Sequence, residues 1–442
     1  VLRLRSCLLA LLALTPAARA NGRFPAAQHV VFGVGEHARR VTFRTTFGLL
    51  VSDDDGGRFR WLCEGALFSA PEFGPSIDPS VEIDARGRTV FGFLYGLRAW
   101  SPDRCGVEED LPLRGRQVLD LTTTADRRVI YGIETPLDAP QWILRGDSAG
   151  TAFTRRGQGI NNVRLATIDV SPADPQRLFL SGLDATLDTP LLLRSDDGGE
   201  TVRAVDVPTS ALGEDAFIAA MHPTDPDALW VRTFVGLGST LVRVRGRDTM
   251  TVARTADRML GFARSADART VWYGSLNGGL QRSDDGGDTF APVNTLRVLC
   301  LAVHNDALWA CSDWLRGPFA LGRSTDGGRT FTPVLQFRDI AGPVACAAEG
   351  DDACEGRWPA LLTSLQQAAT RDAGTPRDAT ADVPDALARQ GDASVGGGGG
   401  ARGCGCVAGG GGGARGGVAA LLLALRARRR GRSRARGRSS RR

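Results

Sequence analysis

Four strings of one form recur along the chain, and they limit what it can fold into. They run Ser52 to Phe59, Ser195 to Val202, Ser283 to Phe290 and Ser324 to Phe331. The shared form is Ser-x-Asp-x-Gly-x-Thr-aromatic; Arg58 replaces the Thr in the first copy, and Val202 the aromatic in the second. In three copies an apolar run ending in arginine leads in: Leu191 to Arg194, Gly279 to Arg282, Ala320 to Arg323. A β-favouring run follows each, Thr201 to Val205, Thr289 to Val293 and Thr330 to Leu335. Glycine tolerates positive φ, and Asp and Ser side chains bond nearby backbone N–H groups. Each string therefore reads as a hairpin turn between two strands.

Weaker turns fill the gaps. Ser101-Pro102-Asp103 has the right start, with Cys105 where a Gly is expected. Gly146 to Phe153 keeps Gly150 and Phe153, and Arg245 to Val252 keeps Asp248. The starts fall at 52, 101, 146, 195, 245, 283 and 324, at intervals of 38 to 50. That is about the period of one four-stranded propeller blade. Each interval repeats one grammar, as in Leu165 to Val170, Leu178 to Ser181, Leu191 to Arg194, the turn, then Val202 to Val205. Residues 21–345 contain no long segment of helical period. The expected fold is all-β, a propeller of seven four-stranded blades from about 27 to 340, with six or eight as alternatives. A lone blade exposes two faces, and radial stacking covers them.

The repeated strings resemble the Asp-box, or BNR repeat, of sialidases, sortilin-like receptors and photosystem II assembly factors. In that family the box lies on the outer rim of a blade, away from the central channel. The resemblance therefore implies a fold, and the matching residues are structural: Ser52, Asp54 and Gly56; Ser195, Asp197, Gly199 and Thr201; Ser283, Asp285, Gly287, Thr289 and Phe290; Ser324, Asp326, Gly328, Thr330 and Phe331.

The two ends carry other signals. Val1 to Ala20 reads as a secretory signal peptide, with Arg3 and Arg5, an apolar run Cys7 to Leu14, and Ala18-Arg19-Ala20 as cleavage site. A short buried strand or helix is the alternative, and the mature chain is expected to begin near Asn21. After the propeller, 346–370 reads as a disulfide loop and short helix, with Trp358, Leu361, Leu362 and Leu365 at helical spacing to about Ala369. Residues 371–403 read as a flexible linker. Residues 404–442 hold Cys404 and Cys406, a glycine run, apolar Val418 to Leu425 and an arginine-rich end. This tail resembles the MYXO-CTERM sorting tail, which implies processing near the Cys and tethering at the cell surface. The apolar part departs from the pattern, since a stable span wants about 20 residues. A basic low-complexity tail that touches anionic lipid is the alternative.

Charge follows the same division. There is no Lys, and the net charge of +5 comes from the ends: residues 1–20 carry three Arg and 404–442 carry eleven, without acids. The middle sets 40 Arg against 49 acids, near −9, which argues against a nucleic-acid partner. In an exported chain, disulfides are the default reading of cysteine. Cys300 and Cys311 flank Leu301 to Trp309, Cys346 and Cys354 close a small loop, and Cys63 and Cys105 lie on consecutive units. No CxxC or HxxxH pair supports zinc, and His29, His37, His222 and His304 read as surface or turn residues.

No catalytic motif stands out. A sialidase needs an arginine clamp and a Tyr–Glu nucleophile; Arg23-Phe24-Pro25 is a weak echo, and Tyr95, Tyr131 and Tyr273 lack a catalytic frame. Glu64, Asp84, Glu134 and Glu214 are carboxylates that a hydrolase could use, but sequence does not pair them. Asp53 to Gly56 spells a calcium loop without the Glu that follows, Leu62 standing there. Arg145-Gly146-Asp147 and Gly33-Val34-Gly35 are spellings without context. Trp100, Trp142, Trp230, Trp272 and Trp314 read first as blade-packing residues and leave sugar binding open. The expected function is non-catalytic binding of a protein, peptide or glycan by an exported, surface-held, monomeric propeller without cofactor or metal. A sialidase-like or other glycoside hydrolase and a structural surface component are the alternatives.

Overall fold

The computed structural model describes residues 25–67, 78–102, 107–109, 113–136, 139–148, 152–344 and 354–372. The expected signal peptide, Cys105, Cys346, most of the expected linker, and the residues from Cys404 and Cys406 to the end lie outside them. The fold is the expected seven-bladed β-propeller. Each blade is one antiparallel sheet of four strands that are consecutive in sequence. The blades span residues 27–63, 80–109, 118–160, 163–204, 215–255, 259–294 and 298–335. Their first strands touch in series, and the first strand of blade 1 (Ala27–Phe32) meets that of blade 7 (Val298–His304). The ring is thus closed around a central channel.

All seven aligned turns join the third strand of a blade to the fourth. In the four full copies the serine does the same three things. Ser283 Oγ accepts the Gly287 N–H at 2.8 Å, accepts the Asp285 N–H at 3.3 Å and donates to Asp285 Oδ1 at 2.6 Å. Asp285 then accepts from the Thr289 N–H and hydroxyl, at 2.9 and 2.6 Å. Gly287 sits at φ +92, a conformation that strains any residue with a Cβ. These bonds hold the Asp285 and Asp326 carboxyls well below the usual range, with the Ser and Thr hydroxyls and the Thr N–H as the cause.

The turns also lock neighbouring blades. Each full turn closes over an aromatic ring on the second strand of the preceding blade. The blade 4 turn meets Tyr131, blade 6 meets Trp230, blade 7 meets Trp272 and blade 1 meets Trp309. Trp272 Nε1 donates to Gly327 O at 3.0 Å. The ring aromatics face arginines across the sheet. Phe91–Arg98, Tyr131–Arg145, Phe179–Arg194, Trp230–Arg243, Trp272–Arg282 and Trp309–Arg323 are register partners on strands two and three. The arginines that end two of the lead-in runs cover such a ring, Arg282 over Trp272 at 5.9 Å and Arg323 over Trp309 at 5.6 Å.

A C-terminal latch spans the seam between blades 1 and 7. Residues 341–344 run beside the outer strand of blade 1: Trp61 N–H donates to Gly342 O, and Val344 N–H to Trp61 O, both at 2.9 Å. Cys354 is bonded to Cys63, 291 residues away. Cys354 therefore does not close a local loop with Cys346, as its spacing suggested, and Cys63 does not pair with Cys105 of the next unit; the bond ties Cys354 to the outer strand of blade 1. The second disulfide joins Cys300 and Cys311, partners on adjacent strands of blade 7. The helix Trp358–Asp372 follows, two residues into the expected linker, and buries Leu361 and Leu365 in the core of blades 1 and 7. Trp358 lies 5.8 Å from Trp61.

Candidate functional site

First strands are sheet edges that face the channel, so their outward N–H groups need partners. Side chains from the preceding blade supply them. Ser80 Oγ accepts the Leu121 N–H at 3.0 Å, Asp120 Oδ2 the Ile168 N–H at 2.9 Å, and Thr167 Oγ1 the Ile218 N–H at 3.1 Å. In six of the seven blades the register between first and second strand also slips at a bulge. A bulge re-aims side chains, and here it lies beside the channel.

This stitching gathers three carboxylates. Glu82, Asp120 and Asp169 stand on the first strands of blades 2, 3 and 4. All three are half-buried, ringed by protein yet in reach of solvent. Asp120 Oδ1 accepts from Ser80 Oγ at 3.0 Å. Asp169 Oδ1 accepts from Thr122 Oγ1 at 3.4 Å. Glu82 Oε2 pairs with Arg127 Nη1 at 2.6 Å and accepts from Thr123 Oγ1 at 3.4 Å.

The proton affinities of Asp120 and Asp169 are displaced upward. Burial lifts the Asp120 carboxyl to about 6, and the Glu82 charge adds to it, against the bonds from Ile168 N–H and Ser80. Asp169 is raised well above the carboxylate range, by burial first and then by the charges of Asp120 and Glu82. Two carboxyls that repel in one site resist ionising together. On the far side Arg264 feels Asp169 while donating to Met221 O at 2.6 Å. His29 stands on the first strand of blade 1, and burial, with Arg44 and Arg127 nearby, lowers it to about 3, so it is neutral. The site can donate one proton, accept hydrogen bonds from hydroxyl or ammonium groups, and attract positive charge. Among the described residues no group of three His, Cys, Asp or Glu side chains is arranged to hold a metal ion.

The carboxylates singled out in the sequence do not converge. Asp84 is fully buried and paired with Arg88 at 2.8 Å. Glu134 is clamped by Arg116 and Arg155 at 3.0 and 2.6 Å; burial pushes its carboxyl up, and the two arginines outweigh that and hold it low. Glu214 accepts the Gly236 N–H at 3.2 Å, and Glu64 opens a helical turn after the outer strand of blade 1. Tyr131 donates to Pro175 O at 3.2 Å, a packing role. His222 Nδ1 accepts the Asp225 N–H at 3.1 Å in a turn, while His304 stacks on Phe32 at 4.3 Å. The channel acids carried a signal of their own. Each is a lone acid in an apolar run: Val81-Glu82-Ile83, Leu119-Asp120-Leu121, Ile168-Asp169-Val170.

No protein-family model and no curated protein matches the chain. Among solved structures, an ancestral GH74 enzyme superposes with a TM-score of 0.52 at 10% identity, covering 70% of this chain and 46% of that one. Hydrazine synthase of Kuenenia stuttgartiensis gives 0.47 at 9% identity, over 68% and 96%. A GH74 xyloglucanase from Xanthomonas campestris gives 0.32 at 14%, over 67% and 57%. The chain spans about half the length of the ancestral enzyme, and the likeness is one of fold.

Proposed function

We propose that this chain is a non-catalytic binding propeller that takes its ligand at the acidic channel of blades 2 to 4. The reading rests on Glu82, Asp120 and Asp169, three half-buried carboxylates raised on adjacent innermost strands, two with elevated proton affinity. Groups that satisfy them are hydroxyls and cations, as presented by a polysaccharide or a basic protein segment. The four Ser-x-Asp-x-Gly turns are, in this reading, Asp-boxes. The signal peptide and MYXO-CTERM-like tail make the propeller an exported, surface-held monomer.

A glycoside hydrolase is the second reading. It is favoured by the same pair, since an acid near 6 beside another carboxyl is what glycosidic cleavage uses, and by the fold shared with a GH74 enzyme. Against it, Asp120 spends both oxygens on cross-blade bonds.

One experiment separates them. The chain is incubated with isolated cell-surface polysaccharide and with sialylated glycans, and both retention and sugar release are measured. Retention without release, lost in Asp120→Asn and Asp169→Asn, supports binding. Sugar release that both variants abolish replaces it with the hydrolase. Retention equal in all three proteins removes the channel as the site.

A further inference from the structure

A second charged feature lies at the seam of blades 5 and 6, and it has the opposite sign. Arg232 sits on the second strand of blade 5, Ala228–Val235, in register with Phe217. Its guanidinium lies 5.7 Å from the Phe217 ring and 5.3 Å from Phe234. It reaches across the seam to donate to Met259 O at 2.8 Å. Arg258, in the connection to blade 6, lies 4.7 Å from the same Phe234 ring.

Neither arginine has a carboxylate partner among the described residues. Arg232 Nε is buried and bonded to nothing. Burial, with Arg258 alongside, lowers the Arg232 guanidinium only to about 10, so it stays charged at neutral pH. Two like charges thus share one aromatic ring with no opposite charge beside them. Most other arginines in the blades show the contrast: Arg127, Arg155, Arg177, Arg194 and Arg243 all reach an acid. A buried, unpaired charge costs several kcal/mol, and proteins retain one where something else pairs with it. Carbonyls and ring faces take up part of the Arg232 charge, but Arg258 has no hydrogen-bond acceptor among the described residues.

We infer that Arg232 and Arg258 form an oxyanion-binding site, built to hold a carboxylate, sulfate or phosphate group of a ligand between two guanidiniums. Guanidinium forks match such groups with paired N–H donors. The adjoining hairpin exposes Val235 and Leu237, at 55% and 75%, an apolar surface for the rest of the molecule. The site is independent of the acidic channel and stands or falls without it.

The test uses the purified chain and small anions. Thermal unfolding is followed in acetate, sulfate and phosphate against chloride at matched ionic strength, and dissociation constants are taken by calorimetry. The expected result is saturable stabilisation by at least one oxyanion, since a ligand that binds the native state raises its midpoint. Acetate or sulfate and phosphate as the preferred anion tells planar from tetrahedral groups. Arg258→Gln, at a half-buried position, should weaken binding about tenfold or more, the worth of a charge-assisted hydrogen bond. Arg232→Gln should abolish it, with circular dichroism confirming the fold; if that variant fails to fold, Arg258→Gln decides alone. No oxyanion acting beyond chloride, or full affinity retained in Arg258→Gln, overturns the site.

Discussion

Removing the Cys63–Cys354 bond should destabilise the propeller more than removing Cys300–Cys311, although both are buried in the same core. The first bond closes 291 residues and the second 11. In the chain-entropy relation a cross-link restricts the unfolded chain by an amount that grows with the logarithm of the loop, giving about 6 kcal/mol for the long loop and about 3 for the short one. The double variant Cys63→Ala with Cys354→Ala also loses the N–H of Cys63 donating to Cys354 Sγ at 3.1 Å. Guanidinium unfolding followed by tryptophan fluorescence reads the difference, with Cys300→Ala plus Cys311→Ala as the reference. Hydrogen exchange at the Trp61 and Val344 amides, which pair the latch to blade 1, reports the seam itself. A latch variant no less stable than the reference, with only those amides exposed, would refute the claim that the latch closes the ring as one cooperative unit.

Other expectations follow from the turns and the channel. Ser283→Ala removes one acceptor from the Gly287 and Asp285 amides and should cost about 1–3 kcal/mol in denaturant unfolding. Asp285 and Asp326 titrate below their unfolded range, so their contribution is present above about pH 4 and lost as pH falls further; an acid-unfolding curve of Asp326→Asn should be flatter there. Asp120 has the opposite sign. Its folded carboxyl at about 6 binds a proton that the unfolded chain releases near 4, so stability should rise as pH falls from 7 to about 5, by roughly 1–1.5 kcal/mol. Asp120→Asn should remove that rise. Trp230→Ala, which empties the pocket under the blade 6 turn, should cost about 3–5 kcal/mol, measured by midpoint in the same denaturant.

The blades were legible because their turns carry residues whose backbone demands are specific. Ser283, Asp285 and Gly287 can be read as a turn without knowing what surrounds them, and even the degenerate turns at 101, 146 and 245 kept the spacing that places them between strands three and four. The latch was not legible. Cys346 and Cys354 are near in sequence, and nothing local tells that residues 341–344 will pair with Trp61 and carry Cys354 to Cys63. The same holds for Trp309 beneath Gly56, a contact that exists only once the ring has closed. Contacts set by ring closure are long-range, and local spacing holds no record of them.

The channel site belongs between these cases. Asp120 sits between Leu119 and Leu121 as Asp169 sits between Ile168 and Val170, and alternation along a strand turns the middle residue to the sheet face opposite its two neighbours. Asp120 accepts the Ile168 N–H of the next blade and the Ser80 hydroxyl of the preceding one. A serine or threonine does that work elsewhere, as Ser80 and Thr167 do. At position 120 a hydroxyl would therefore have closed the Ile168 bond, without the burial and repulsion that raise the carboxyl. Charge placed at Asp120, where a neutral group closes the same bond, is the physical argument that this position serves a ligand rather than the fold.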